Sequence, residues 1–356
     1  MKIISIRLKN FRNYENAIFN FDKSSTLIIG PNASGKTNIL ESIHILSVGK
    51  SQRAKRELDL IRNGCQTSYI GALIDYENDG GNKLDVAISK GQSLGRTKKN
   101  YRVNNVTRVQ SQFLGKFHSV YFSPSDIRLV LGSPARRRSA IDEVLSQVYT
   151  SYKINLLIYQ KSLKQKNKLL EAIWQRKAIY HQVDYWNKKL LETGFYIQKK
   201  RAEFFIFCND KLLKLGEVLN KSNKSLRLRY KKNVITKERI DRYKDIEVRR
   251  GLSLIGPHRD DFEFIKERNK DLGSFGSRGE QRTAVFALKV CELLFLQEKT
   301  KEVPVLLLDD IFSELDEAHR KNILKVIKGR QAIITTAEGG LVPKNLLSKS
   351  KIIGLK

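Results

Sequence analysis

The sequence is poor in cysteine, in acidic residues and in long apolar runs, and each shortage excludes a class of protein. Its three cysteines, Cys65, Cys208 and Cys291, are scattered and lack metal-ligand spacing. No apolar run approaches the ~20 residues that span a bilayer. The N-terminal residues 1–8 alternate like a strand and do not resemble a signal peptide. We therefore expect a cytoplasmic protein with reduced thiols and no membrane partner.

The charge balance is strongly basic. The chain has 67 Lys and Arg against 37 Asp and Glu, a formal net charge of +30. Such a protein attracts polyanions, nucleic acid first and an anionic membrane second. The alternative is a solvated lysine-rich surface without a specific polyanion. At 356 residues the chain is long enough to bury a substantial core and to form two lobes.

The most informative motif is a glycine-rich loop between a strand candidate at residues 27–29 and a helical apolar pattern. This arrangement directs backbone N–H groups and a helix dipole at a phosphate. Lys36 would reach the β- and γ-phosphates, and Thr37 would hold Mg²⁺. The motif therefore predicts a nucleoside triphosphate site. Its residues are Gly30, Pro31, Asn32, Ala33, Ser34, Gly35, Lys36 and Thr37.

A second motif consists of four apolar residues, 305–308, followed by Asp309 and Asp310. A run of this kind is typical of a strand buried on both faces, whose carboxyl end is where ligands bind in open α/β sheets. We predict that Asp309 anchors Mg²⁺ through water and that Asp310 polarises the attacking water. Alone, the pair could equally cap the next helix.

A third motif, at residues 274–282, leads into a helical pattern. Ser277 and Glu280 have capping-box spacing, so one interpretation is simply a well-started helix. The functional interpretation is that Ser277, Gly279 and Glu280 form a second anion-binding face at the helix N-terminus.

The order of patterns predicts three segments. Residues 1–135 look like the N-terminal part of an ATPase lobe. Residues 136–222 predict an inserted arm of two long antiparallel helices with a coiled-coil-like seam. Residues 223–356 look like the C-terminal part of the lobe, with strands at 226–230, 252–255 and 262–265 and then a parallel sheet. The arm's outer faces are predicted to carry Lys161, Lys164, Lys166, Lys168, Lys188, Lys189, Lys199, Lys200 and Arg201.

Taken in order, the motifs resemble an ABC-type ATPase head of the SMC class, and finer features resemble the RecF family. The resemblance runs from Lys2 to about Thr336. Its motifs are residues 8–14, 30–37, 48–53, 122–126, 132–138, 256–261, 277–283 and 308–316.

This resemblance implies an α/β fold: an ABC-type P-loop ATPase head, with a mixed sheet flanked by helices and an inserted helical arm. It implies a cytoplasmic DNA-repair ATPase that closes as an ATP-bridged homodimer on single-stranded and gapped double-stranded DNA. With RecO and RecR it would help RecA load in recombinational repair and SOS induction. Lys36 and Asp310 would serve hydrolysis, and Ser277 would cover the partner's ATP.

Two departures from the family pattern stand out, and one difference from ABC transporters. Ala33 replaces a common glycine, and we expect its methyl to require a negative φ. Glu280 replaces a common glutamine. Thr335 and Thr336 stand where transporters have a switch histidine. Since Asp310 is also shorter than the glutamate of faster relatives, we expect weak, DNA-stimulated hydrolysis.

Nucleic-acid contacts are predicted to be mostly to phosphate. The candidates are Arg136, Arg137, Arg138, Lys199, Lys200 and Arg201. For the first three, the alternative is ordinary surface helix charge. Residues 258–260 form either a sensor cluster or a turn held by local ion pairs.

Three rival functions are weaker. A transporter's nucleotide-binding subunit would usually carry the switch histidine and has no use for a basic arm. An SMC-like chromosome clamp needs coiled coils several-fold longer than residues 141–219. A ribosome-associated ATPase normally carries two heads, whereas this sequence has one phosphate loop.

Overall fold

The computed structural model describes residues 1–76, 80–91, 97–219, 225–314 and 317–356. The chain divides into two compact units, which we call the split unit (residues 1–126 with 292–356) and the arm unit (residues 127–291). None of the described helices is long and apolar enough to cross a membrane.

The split unit contains two sheets and short helices. Its strands are β1 (Lys2–Phe11), β2 (Tyr14–Asn20), β3 (Ser25–Ile29), β4 (Thr67–Tyr76), β5 (Gly80–Lys90), β6 (Thr97–Val103), β7 (Val106–Arg108), β8 (Ser119–Phe122), β12 (Val305–Asp309), β13 (Ala332–Thr336) and β14 (Lys351–Gly354). Its helices are α1 (Lys36–Val48), α2 (Gln110–Phe113), α11 (Ile311–Glu314), α12 (Glu317–Ile327) and α13 (Lys344–Leu347).

The arm unit is mostly helical. Its helices are α3 (Arg128–Leu131), α4 (Pro134–Val148), α5 (Thr150–Trp174), α6 (Asp184–Leu219), α7 (Lys237–Arg242), α8 (Lys244–Arg250) and α9 (Leu272–Phe275). A small sheet contains β9 (Arg227–Lys231), β10 (Asp261–Lys266) and β11 (Lys270–Asp271). Helix α10 (Arg278–Thr300) has residues in both units.

Five parallel strands in the order β14-β3-β13-β12-β8 form the sheet that carries the phosphate loop. All five residues of β12 are buried, as expected for a strand covered on both faces. The prediction of a parallel sheet at the end of the chain is confirmed. Strands β3 and β8 come from the first part of the chain, and among the described strands each pairs only with strands from the last part.

The second sheet of the split unit is antiparallel, in the order β2-β1-β4-β5-β6-β7. Its apolar face, with Ile6, Leu8, Ile70 and Val86 fully buried, belongs to one core with the apolar side chains of α1. Its other face is open to solvent at alternate positions, as the two-residue period of strands requires.

The arm consists of α5 and α6 packed together, as predicted. Helix α4 begins at Pro134, and Tyr149 has extended backbone (φ −121°) and separates α4 from α5. The predicted strand at residues 252–255 is not formed; these residues are irregular. The predicted exposure of Lys166 is wrong, because its ammonium is buried 2.7 Å from Glu247 of α8.

The two units do not coincide with the predicted segments. The first structural division follows Asp126, whereas it was predicted after residue 135. The second predicted boundary, between residues 222 and 223, lies outside the described residues. Residues 225–291 belong to the arm unit because β9 and β10 pair with each other and pack on α6 and α4.

Candidate functional site

The phosphate loop joins β3 to α1 with two residues in the left-handed region. Gly35 has φ 102° and Ala33 has φ 68°. A Cβ on Gly35 would lie 2.5 Å from Asn13 Nδ2 and 2.6 Å from Tyr14 Oη, so only glycine fits there. The expectation of a negative φ at Ala33 is wrong. The loop imposes a conformation that costs an L-residue about 1–2 kcal/mol.

Lys36, in the first turn of α1, lies inside the loop. Its side chain is buried, and Nζ donates to the carbonyl oxygens of Gly30 at 2.6 Å and Pro31 at 2.8 Å. The ammonium is therefore positioned at the loop by backbone acceptors, where its charge adds to that of the helix N-terminus.

Asp309 links the loop to the ends of two further strands. Its Oδ1 accepts hydrogen bonds from Thr37 Oγ1 and Thr335 Oγ1, both at 2.8 Å. Its Oδ2 accepts one from Tyr121 Oη at 2.7 Å. Burial, followed by the charge of Asp309, raises the pKa of Tyr121 well above its ordinary value, so the hydroxyl remains a donor.

Asp310 is the next residue and is held differently. It has φ 48°, and its backbone N–H donates to Thr335 O and Oγ1 at 3.1 and 3.0 Å. Its Oδ1 is buried and has no hydrogen-bond partner among the described residues. A buried carboxylate oxygen without a donor is costly, and it can accept a hydrogen bond from water.

The oxygen atoms of Thr37 and Asp309 suit Mg²⁺, which prefers oxygen ligands and takes only one or two from protein. Within the described residues, no group of three or more His, Cys, Asp or Glu side chains could hold a metal alone. The donor set therefore fits an ion whose remaining ligands are phosphate and water.

Two side chains of this site were not predicted. Tyr121 lies on β8, and Thr335 lies on β13, the two neighbours of β12 in the parallel sheet. The signal that could have found them is the rule that carboxyl ends of parallel strands meet at one edge. Thr335, which stands where transporters have a switch histidine, bonds both Asp309 and the Asp310 backbone.

Two family motifs converge on α1. Arg12, from the motif at residues 8–14, donates to Glu41 Oε1 and Oε2 at 2.7 and 2.9 Å. Ser51, from the motif at 48–53, also donates to Glu41. Arg53 donates to Asn38 Oδ1 at 3.0 Å. These contacts fix the helix that follows the loop.

The Ser277 turn, in the arm unit, is a formed capping box. Ser277 N and Oγ donate to Glu280 Oε2 at 2.9 and 3.0 Å, and Lys266 Nζ donates to Oε1 at 2.6 Å. The bond from Lys266, then those from Ser277, lower the pKa of Glu280 to about 2. Glu280 thus serves the helix start. Ser277 and Gly279 are exposed, and nothing lies within 4 Å of a Cβ placed on Gly279.

Arg201 does not lie on the arm surface. It is buried, with Nη2 2.8 Å from Asp142 Oδ1 and Nη1 3.0 Å from Asp260 Oδ2. The prediction that Arg201 contacts nucleic acid is wrong, because its charge is already paired inside the arm unit. Lys199 is exposed, and Lys200 donates to Glu203 at 2.7 Å.

The arginine trio at the start of α4 is largely engaged. Arg137 makes a bidentate pair with Asp261 at 2.7 and 2.8 Å, which joins two family motifs. Arg138 donates to the Asp260 carbonyl at 2.8 Å. Arg136 is half-buried.

His258 belongs to the same structural network. Tyr159 Oη donates to its Nδ1 at 2.6 Å, and its Nε2 donates to Ser253 O at 2.9 Å. Burial lowers the pKa of His258 to about 4. The motif at 256–261 therefore forms a turn held by polar contacts, one nearby in sequence (Ser253) and one distant (Tyr159). The local ion pairs of the second interpretation are not what holds it.

A family model described as RecF/RecN/SMC N terminal domain matches residues 2–353. The chain is 34% identical over 371 residues to DNA replication and repair protein RecF of Bacillus cytotoxicus (strain DSM 22905 / CIP 110041 / 391-98 / NVH 391-98), covering 100% of this chain and 97% of that protein. The chain belongs to the RecF family. RecF of Natranaerobius thermophilus (strain ATCC BAA-1301 / DSM 18059 / JW/NM-WN-LF) is 35% identical over 370 residues, or 95% of this chain and 91% of that protein.

Solved structures of RecF proteins support the same family assignment. The recombination mediator protein RecF with ATPrS in the RecFOR pathway matches with a TM-score of 0.87 and 30% identity, over 96% of this chain and 94% of that chain. RecF with ATP matches equally, over 96% and 93%. An SMC head bound to the C-winged helix domain of ScpA has a TM-score of 0.51 at 18% identity and supports the fold alone. The resemblance to RecF and the ABC-type ATPase head are confirmed.

Proposed function

We propose that this RecF-family chain binds MgATP at the phosphate loop and forms an ATP-bridged homodimer. In that state it binds DNA at single-strand gaps and helps RecO and RecR load RecA in recombinational repair and SOS induction. The observation that supports nucleotide binding is the position of Asp309. Its two carboxylate oxygens accept hydrogen bonds from Thr37, Thr335 and Tyr121 at one edge of the parallel sheet. Relatives named RecF, and RecF structures with ATP, support the remainder.

Each group at the loop would have a distinct role. Lys36 would exchange its carbonyl partners for phosphate oxygens and stabilise their charge. Mg²⁺, when bound by Thr37 and near Asp309, would neutralise charge on the transferred phosphoryl group. Asp310 would orient a water through its unpartnered Oδ1.

The Ser277 turn would serve the partner subunit. Its hydroxyl and the exposed backbone at Gly279 lie at the N-terminus of the 23-residue helix α10, where anions bind favourably. We propose that this face covers the ATP of a second copy. Glu280 does not need to contact the nucleotide, since both its oxygens are engaged.

The test is size-exclusion chromatography with light scattering of wild type, Lys36→Ala and Lys349→Ala, with and without ATP and gapped DNA. Wild type and the exposed-lysine control Lys349→Ala should shift to a dimer only with ATP. Lys36→Ala should remain a monomer, because the loop loses the charge that binds phosphate. A wild-type chain that stays single and binds gapped DNA equally with and without ATP would contradict the proposal.

A further inference from the structure

One face of the antiparallel sheet in the split unit is strongly basic. Strand pairing aligns side chains from all six strands in one row across this face, because partners in register point to the same side. The row consists of Ile18, Arg7, Gly71, Asp85, Arg102 and Thr107. We call this side of the sheet the outer face, since the opposite side packs on the core.

The outer-face cations that are exposed and unpaired fall on two strands. Arg7 and Lys9 lie on β1, and Lys98 and Arg102 lie on β6; all four are exposed. In the part of the chain that the structure describes, none of these four side chains has a hydrogen-bond or ion-pair partner. Because these four cations have no partner within the described protein, an anion that binds them does not have to break an existing ion pair.

The carboxylates on the same face are already engaged. Asp75 pairs with Lys23 at 2.9 Å. Asp85 is buried, accepts a hydrogen bond from Tyr69 Oη at 2.5 Å and lies 3.7 Å from Lys83. The described strands place no other Asp or Glu at an outer-face position. The net field of the face is therefore positive.

The strip between these two strands is close to neutral, because Lys83 of β5 lies beside Asp85 and Asp75 of β4 pairs with Lys23. A Cβ on Gly71 would lie 2.4 Å from Tyr69 Oη and 2.8 Å from Asp85 Oδ1, so the tyrosine lies across the glycine. Burial raises the pKa of Tyr69, and Arg7 and Arg102 oppose that rise from either side. With β4 and β5 between them, β1 and β6 are about 14 Å apart, three strand spacings.

We infer that the outer face binds the phosphate backbones of double-stranded DNA, with Arg7 and Lys9 on one side and Lys98 and Arg102 on the other. This inference rests on the proposed function and adds a surface that the arm candidates did not include. Two cationic rows beside a neutral strip suit the two backbones of a duplex, whereas one flexible strand needs only one row. Without base-reading side chains in the strip, the contact would be independent of sequence.

A membrane surface fits this face less well. Its large exposed apolar side chains are Ile18 and Leu73, at 60% and 48% exposure, and they lie on different strands and in different rows. Interfacial binding needs a continuous apolar face to insert among lipid headgroups.

The experiment compares wild type, the variant Arg7→Ala/Lys9→Ala/Arg102→Ala, and the control Lys328→Ala/Lys344→Ala/Lys349→Ala. The control removes the same charge from exposed lysines of the same unit. With ATP present, affinity for a blunt duplex oligonucleotide is measured over a series of salt concentrations. The outer-face variant should bind at least about tenfold more weakly at moderate salt, and its log–log salt slope should fall by about 2.7, or 0.9 for each lost contact.

Circular dichroism and ATP affinity, expected to be unchanged, establish that the variant is folded. Equal duplex binding by the variant and the control would overturn the inference while leaving the proposed function intact. A loss limited to a single-stranded oligonucleotide, or to vesicles of anionic lipid, would overturn the assignment to duplex. A wild-type chain that bound no DNA with ATP would overturn both the inference and the proposed function.

Discussion

Single residues at the phosphate loop carry strain and unpaired groups that the local sequence does not reveal. Ala33 has φ 68°, where a methyl group is disfavoured, and Asp310 has φ 48° with an unpartnered buried oxygen. A strained backbone position of this kind is kept only where contacts with the surrounding structure hold it in place, and such positions are concentrated at functional sites.

Ala33→Gly should raise the free energy of unfolding. Glycine removes about 1–2 kcal/mol of left-handed strain but adds chain entropy of about 0.4–1 kcal/mol to the unfolded state. The expected gain is about 0.5–1 kcal/mol in urea denaturation without nucleotide. Ala337→Gly, at a loop position that is not in the left-handed region, should lower stability instead. An equal loss for both variants would contradict the strain at Ala33.

The residues that sequence patterns predicted at the site are those adjacent to a strong local signal. The loop from Gly30 to Thr37 and the pair after β12 follow directly from apolar strands. Tyr121 and Thr335 were missed because their role depends on which strands are neighbours, and that order is set by distant pairing. The φ of Ala33 was predicted wrongly because the path of the loop between β3 and α1, and not the preference of alanine, determines the backbone conformation at this residue.

At the scale of elements, buried charge pairs connect the two long helices α5 and α6 to other parts of the arm unit. Lys166 lies between Leu163 and Leu170, and Arg201 lies between Ile197 and Phe204, so both occupy the apolar stripe of their helices. That spacing is visible in the sequence, but the two residues were predicted to be exposed because lysine and arginine usually lie on the surface. Their partners, Glu247 and Asp260, are distant in sequence and only tertiary structure identifies them.

Lys166→Met should be strongly destabilising, by about 3–5 kcal/mol, because it leaves Glu247 charged and buried without its partner. Lys164→Met, two residues earlier and exposed, should change stability by less than about 0.5 kcal/mol. Urea denaturation monitored by circular dichroism measures both. Similar small effects for the two variants would mean that the buried pair is not formed.

His258 should make stability depend on pH. Burial lowers its pKa from 6.5 to about 4, so the unfolded chain binds the proton more tightly. The stabilisation is complete above the unfolded value and is lost as pH falls toward about 4, up to about 3 kcal/mol.

The measurement is urea denaturation at about pH 7.5 and about pH 5 for wild type, His258→Gln and His181→Gln. The loss of stability at the lower pH should be smaller in His258→Gln than in wild type. His181, whose side chain is 84% exposed, should behave as wild type when replaced. An unchanged pH dependence in His258→Gln would contradict the buried neutral imidazole.

At the scale of the whole molecule, the chemistry favours binding over rapid turnover. Asp310 has a short side chain and Thr335 offers no imidazole, so hydrolysis should be slow and should act as a timer for the dimer that we propose to form on DNA. Phosphate release by wild type should remain far below the order of tens per second, which is typical of efficient enzymes. Asp310→Asn should abolish release and retain the ATP-dependent dimer. Rapid release by wild type alone would exclude a timer.

The strand order of the parallel sheet also constrains how the protein is made. Among the described strands, β3 and β8 each pair only with strands from the last part of the chain. The ribosome therefore synthesises the phosphate loop long before the strands that complete its sheet. The arm unit is continuous in sequence, so it can fold before the strands that neighbour the phosphate loop have been synthesised. A nascent or truncated product that lacks the last part of the chain therefore lacks the strands that neighbour the phosphate loop and contribute Asp309 and Thr335.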